Sequence, residues 1–334
     1  MEWYLPVIWA ALIGTAVALY VILDGFDLGT GILFPYAGNE RERDQMMDSI
    51  APFWDGNETW LVLGGAGLWV AFPRAYAVVM PALYLPVIVM LLALVFRGVA
   101  FEFRAVAATS KKYWNFAFAG GSTLAAFCQG IILGGLLQGI KVENDAFAGG
   151  PFDWATPFAF MCGLGVVTGY GLLGATWLVM KTEGAVAARA RGQAKMLLLA
   201  VLVFMGVVSL WTPLAFERIA ARWFSTPNIY FLWPVPALTA LTALMVWRWL
   251  EAGRELPPFL GSIALFLLGY LGLMISTFPY LVPPTLTVWQ TAAAPSSQLF
   301  MLVGTVALLP IILGYIVFVY WVFRGKVREG EGYH

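Results

Sequence analysis

Residues Ser49–Trp60 read SIAPFWDGNETW, and a shorter stretch before them, Asp24–Gly29, reads DGFDLG. In a soluble protein the first would pass for a capped helix start and the second for a glycine turn. Here they lie in a chain of 334 residues that is 61% hydrophobic and only 11% charged, with a mean hydropathy of +0.80. Asp55, Asn57 and Glu58, set between Trp54 and Trp60, must therefore be accommodated where water is scarce.

Outward from that stretch, apolar runs such as Ala82–Phe96, Met196–Leu210 and Leu299–Val322 approach or exceed the roughly 20 residues that cross a bilayer core. The expected fold is an all-α integral membrane protein, a single polytopic domain over 1–334. Its spans are expected near 5–37, 51–72, 76–103, 113–139, 155–181, 193–216, 228–249, 257–279 and 297–323. MEWYLPVIWA has neither a basic start nor a small-residue cleavage site, so it is expected to be a retained helix. The second span is the weakest, because it opens on the polar stretch. Lysine and arginine placement decides for it: nine spans put fourteen on one side, Arg41, Arg43, Arg104 and Lys181 among them. The other side then holds only Arg74, Lys141, Arg218 and Arg222. Eight spans blur that contrast. The positive-inside rule thus favours nine, with the N-terminus outside and the C-terminus inside.

Between spans, the alternating charges of Gly38–Asp48 predict a solvated connector. Glu217–Asn228 predicts an ordinary turn. Pro279–Gln298 carries no charge and four prolines, and is expected to pack on the membrane surface or on another chain. TGYGLLGAT at Thr168–Thr176 loosely echoes DGFDLGTG, which would suit two four-helix halves plus one helix.

Several chemistries are excluded by residue type. The one histidine is His334, and Cys128 and Cys162 lie apart in apolar runs, expected as buried small hydrophobes. This chain cannot supply bis-histidine ligation to a haem, nor an ordinary zinc or copper site. It has no phosphate-cradling glycine loop followed by Lys-Ser/Thr and no nucleophile elbow. Tryptophans and tyrosines near span ends read as an interfacial belt.

What remains is carboxylates inside the membrane. Asp24 and Asp27, three apart, share a helix face, while Gly25 and Gly29 form a small-residue stripe beside them. Each acid near the bilayer centre costs about 2.5–3.5 kcal/mol, which favours a polar interior or an ion partner. Asp55 and Glu58 repeat the spacing at the start of the second span, where Pro52 fits an early helix position and Ser49 or Asp48 could cap. In the nine-span arrangement all four face the cytoplasmic half, as a proton entry path requires. FRGVAFEFR, Phe96–Arg104, ends the third span: Arg97 and Arg104 are seven apart on one face and Glu102 lies elsewhere on the turn. Arg104 can snorkel, whereas Arg97 is deeper and expected to meet an acid.

Taken together, GFDLGTG, SIAPFWDGNETWL, FRGVAFEFR and SSQL before a last helix ending in YWVFRGK resemble subunit II of cytochrome bd-type quinol oxidases. The likeness spans nearly the whole chain, and WDGNETWLV in a short chain resembles the cyanide-insensitive branch. The resemblance implies a bacterial terminal oxidase of the cytoplasmic (inner) membrane with nine helices, as two four-helix bundles plus one. Its partner, subunit I, would carry haems b and d and the quinol site, and reduce O2 to water without proton pumping. It implies that subunit II ligates no haem and supplies protons through Asp24, Asp27 and Asp55. Glu58 and Glu102 join that path, with Trp54, Asn57, Arg97 and Arg104 in support; Glu102 stands where relatives can have aspartate. The resemblance also allows a structural quinone, for which no residues are assigned, and a small single-helix subunit. It implies no nucleic acid partner. The residues alone leave two alternatives open: a secondary transporter binding a cation at glycine-rich breaks in helices one and four, and a purely structural partner.

Overall fold

The computed structural model describes residues 3–107 and 109–328; His334 and the first two residues lie outside them. The chain is almost entirely helical. In order it forms α1 (Tyr4–Leu33), α2 (Glu40–Asp48), α3 (Trp54–Ala71), α4 (Pro73–Ala82), α5 (Tyr84–Val106) and α6 (Lys111–Gln138). A small hairpin, β1 (Val142–Glu143) and β2 (Ala146–Phe147), precedes α7 (Pro157–Lys181), α8 (Gly184–Ala215), α9 (Glu217–Phe224), α10 (Asn228–Leu232), α11 (Pro234–Glu251) and α12 (Leu256–Thr277). A second hairpin, β3 (Tyr280–Val282) and β4 (Leu286–Thr287), leads through α13 (Val288–Thr291) to α14 (Pro295–Val322).

Among the described residues, eight helical segments are long and apolar enough to cross a membrane. They start at Tyr4, Tyr84, Lys111, Pro157, Gly184, Asn228, Leu256 and Pro295. The segment absent from that set is α3, whose first two turns carry Asp55, Asn57 and Glu58. The stretch 76–103 is interrupted at Leu83, between α4 and α5.

The packing centre is α1. Residues Asp24–Gly31 are buried on every side, because α3, α6, α7 and α12 all pack against this helix. Contact with α7 is the closest: a Cβ on Gly29 would strike the backbone of Tyr170 and Gly174, and one on Gly174 would strike that of Gly29 and Thr30. The two glycine stretches that echo each other in sequence thus meet in space, and the absent side chains let the backbones touch. Both α1 and α6 run unbroken through their glycines, so the broken-helix cation site of a transporter is not formed.

Three connections differ from expectation. Residues 38–48 are not a solvated connector but include α2, capped by Asn39 and held by ion pairs from Glu42 to Arg189 and from Glu40 and Asp44 to Arg104. Its alternating charges find fixed partners on α5 and α8. Residues 217–228 are not a simple turn but hold the amphipathic α9, whose Ile219 is buried. Residues 279–298 fold back on this chain: Val282, Leu286 and Val288 join Trp9, Phe72 and Val78 in a core cluster. Ile140 N–H donates to Pro283 O (3.2 Å) and Ala293 N–H to Ala71 O (2.9 Å). The stretch is thus anchored on its own chain, with Pro284, Thr285, Gln290 and residues 294–297 left exposed.

At the α2 end, a strap follows α14. Lys181 Nζ donates to the carbonyls of Phe323 (2.5 Å) and Gly325 (2.6 Å). Val327 N–H donates to Lys181 O (2.8 Å), and Val327 O accepts from Gln45 Nε2 (2.9 Å). Cys128 and Cys162 are buried and unpaired.

Candidate functional site

On α5, Pro86, Met90, Ala93, Arg97, Ala100 and Arg104 are buried, a stripe at steps of three and four. That stripe carries Arg97 into the interior, where its side chain is 0% exposed. Its fork is shared: Nη2 donates to Asp24 Oδ1 at 2.9 Å and Nη1 to Glu58 Oε1 at 2.5 Å. Asp27 Oδ2 lies 3.9 Å from Nη2. Trp54 covers the guanidinium, 5.2 Å from its ring centroid. A buried guanidinium is tolerable only when paired in this way, and the planar fork lets one cation serve two helices.

Asn57 completes the assembly from α3. Its Nδ2 donates to Leu23 O (3.2 Å) and Asp27 Oδ2 (2.7 Å), while Oδ1 accepts from the Tyr320 hydroxyl of α14 (3.1 Å). Among the described residues, Asp24 Oδ2, Asp27 Oδ1 and Arg97 Nε find no hydrogen-bond partner. Tyr20 stands one turn before Asp24 on the same face of α1, its hydroxyl in the interior. The same hydroxyl accepts from Gln129 Nε2 (2.8 Å), and Gln129 Oε1 accepts from the Tyr170 hydroxyl (2.6 Å). Two polar chains thus lie one turn of α1 apart: Tyr170–Gln129–Tyr20 across α7, α6 and α1, and Asp24–Arg97–Glu58 across α1, α5 and α3.

Two turns further along α5, Arg104 binds Asp44 (2.6 Å), Glu40 (2.9 Å) and Asn115 Oδ1 (2.5 Å), with Phe34 beneath it. It does not snorkel: it is buried and ties α2 to α5 and α6.

The structure brings together Asp24, Asp27, Asn57, Glu58, Arg97 and Trp54. It does not bring Asp55 or Glu102 into that cluster; both are exposed, on outward faces of α3 and α5. The helix phase decides this. α3 begins at Trp54 with no side-chain cap, and Ser49 bonds Met46 O instead of capping it. Its buried positions are then Asn57, Trp60, Gly64 and Ala71, which leaves Glu58 at the margin, its side chain 30% exposed, and Asp55 outside. Tyr20, Gln129, Tyr170 and Tyr320 were not singled out from sequence. Tyr20 was readable as the residue four before Asp24, and Gln129 as a lone amide amid apolar α6.

Among the described residues no group of three His, Cys, Asp or Glu is placed to hold a metal ion, and the three clustered acids are committed to Arg97 and Asn57. Fold and site define a polytopic helical membrane protein with an ion network in its interior. The sequence profile described as "Cytochrome bd terminal oxidase subunit II" matches residues 5–323. The chain is 31% identical to "Cytochrome bd-I ubiquinol oxidase subunit 2" of Escherichia coli K12, over 97% of this chain and 95% of that protein. It is 28% identical to "Cytochrome bd ubiquinol oxidase subunit 2" of Bacillus subtilis, with 97% of each covered. Its fold matches a chain of the bd oxidase structure from Geobacillus thermodenitrificans with a TM-score of 0.76 at 20% identity, over 96% of this chain and 98% of that one. The chain belongs to the cytochrome bd terminal oxidase subunit II family.

Proposed function

We propose that this chain is the haem-free subunit of a membrane quinol:oxygen oxidoreductase, inactive alone, and that the acids around Arg97 deliver protons from the cytoplasm to a haem-carrying subunit I. Haems b and d in that partner would supply the redox chemistry with quinol and O2. Family membership over nearly the whole chain supports the oxidase reading. Its placement in the cyanide-insensitive branch rests on the short chain and WDGNETWLV alone.

The carrying observation for proton supply is one guanidinium facing three carboxylates, Asp24, Asp27 and Glu58. One cation balances one anion, so the cluster is neutral when two of its acids hold protons. Glu58 meets the outside and Asp24 is sealed within, which gives the path an entry and an interior stage. Asn57 and Tyr320 hold Asp27 at the side. In this arrangement α3 is the ninth crossing and the α2 end is cytoplasmic, the N-terminus being periplasmic. α1, α3, α5 and α6 form one four-helix bundle, α7, α8, α11 and α12 the second, and α14 stands apart. The chain is one domain. Asp55 and Glu102, on outward faces, would act where subunit I covers them.

The test is oxygen consumption by the purified complex at matched haem content for Asp24→Asn, Glu58→Gln, Asp55→Asn and Glu102→Gln. Lost turnover with intact haem spectra in Asp24→Asn and Glu58→Gln is expected. Full turnover in both would refute proton supply, and loss of haem would indicate an assembly role. Asp55→Asn and Glu102→Gln report whether the outward acids belong to the path.

A further inference from the structure

At the end opposite α2, α9 and α10 lean against the last turns of α12 and leave a groove of about 440 Å³, within the range of roughly 300–1,000 Å³ typical of ligand sites. Its polar end is Arg222 and Asn228; its walls include Phe231, Met274, Ile275 and Phe278. Arg222 Nη2 donates to Phe278 O (2.8 Å) and Asn228 Nδ2 donates to Arg222 O (3.2 Å), so the head of the groove is built rather than fluid. No carboxylate among the described residues pairs with Arg222, and four of its five N–H groups remain to donate. Around the groove, Phe224, Tyr230, Phe231 and Trp233 are 58–76% exposed, the pattern of side chains at the headgroup level. Trp223 Nε1 anchors α9 to Ser276 Oγ (2.8 Å).

We propose that this groove binds one anionic phospholipid, its phosphate on Arg222 and Asn228 and an acyl chain along Phe231, Met274 and Phe278. Charge complementarity selects the occupant. An unpaired cation at headgroup depth asks for an anion, and exposed apolar walls continuing from it ask for a chain on the same molecule. A soluble anion leaves the walls bare, and a zwitterionic lipid sets its own ammonium against the charge of the arginine.

The experiment titrates the delipidated oxidase complex with phosphatidylglycerol, phosphatidylcholine or inorganic phosphate, and counts retained molecules by native mass spectrometry. The wild type is expected to retain one phosphatidylglycerol at this site in preference to phosphatidylcholine, and no phosphate alone. Arg222→Gln is expected to weaken that retention about fivefold, the worth of one arginine near a charged headgroup. Arg74→Gln, at the same end on α4, leaves it unchanged. Met274→Trp fills the groove without touching the arginine, and is expected to displace the lipid even if Arg222→Gln fails to assemble. Wild-type retention in Arg222→Gln or in Met274→Trp at unchanged haem content overturns the proposal. So does equal binding of phosphatidylcholine or phosphate, or a protein chain found seated in the groove.

Discussion

Replacing Arg97 by methionine removes the guanidinium while keeping an unbranched apolar stem of similar reach. Asp24, 0% exposed, then loses its charge-assisted partner at 2.9 Å, and Glu58 loses one at 2.5 Å. Breaking a buried ion pair by deleting one member costs about 3–5 kcal/mol. Glu58 is 30% exposed and water screens its share, so the lower figure, about 3 kcal/mol, applies. For a chain of 334 residues that is about 4 °C in Tm. Arg97→Lys keeps the charge but reaches only one carboxylate at a time, and is expected to lose about half as much. The assay is thermal unfolding of the purified complex by tryptophan fluorescence, with Asp24→Asn added in the Arg97→Met background. Because the penalty is a stranded anion, the double variant should melt above Arg97→Met alone. If Arg97→Met melts within about 1 °C of wild type, or the double variant is lower by the sum of the single effects, the argument from buried charge is wrong.

Gly29→Ala should prevent recovery of folded protein, since the added carbon meets the α7 backbone. Gly56→Ala, with nothing within 4 Å of the new carbon, should be neutral or slightly stabilising in the same yield and Tm measurements. At the α2 tether, the hydrogen bonds from Arg189 and from the Gly38 N–H hold the Glu42 carboxyl below the usual carboxylate range. A depressed native value contributes stability above the unfolded value, about pH 4.3, and that contribution is lost as pH falls through the native one. Glu42→Gln should therefore melt below wild type at pH 7, with the gap closing in acid; a gap independent of pH would show the charge to be irrelevant.

Much of the fold is legible in the apolar runs, because a bilayer forces helices of fixed length. The acids of α1 and the arginines of α5 are legible for the same reason: charge in such runs has to be explained. The phase of α3 is not. Three-residue spacing fixes the angle between Asp55 and Glu58 but not which of them faces inward. That depends on Asn57, Trp60 and Gly64 packing toward α1, a stripe visible only once apolar and polar residues are counted together. The packing of Pro279–Gln298 on its own chain is not legible either, because an uncharged stretch rich in proline looks alike whether it covers its own chain or a foreign one. Only tertiary contacts with Phe72 and Ile140 distinguish the two.

The strap held by Lys181 sets an order of assembly. Val327 bonds Gln45 and Lys181 across 282 and 146 positions of sequence, so α2 and the end of α7 wait, already inserted, for residues synthesised after α14. Tyr320, which orients Asn57 beside Asp27, sits in the last turn of α14, just before that strap. An extension fused close behind residue 327 therefore bears directly on a joint that ties α2, the end of α7 and the segment after α14 together.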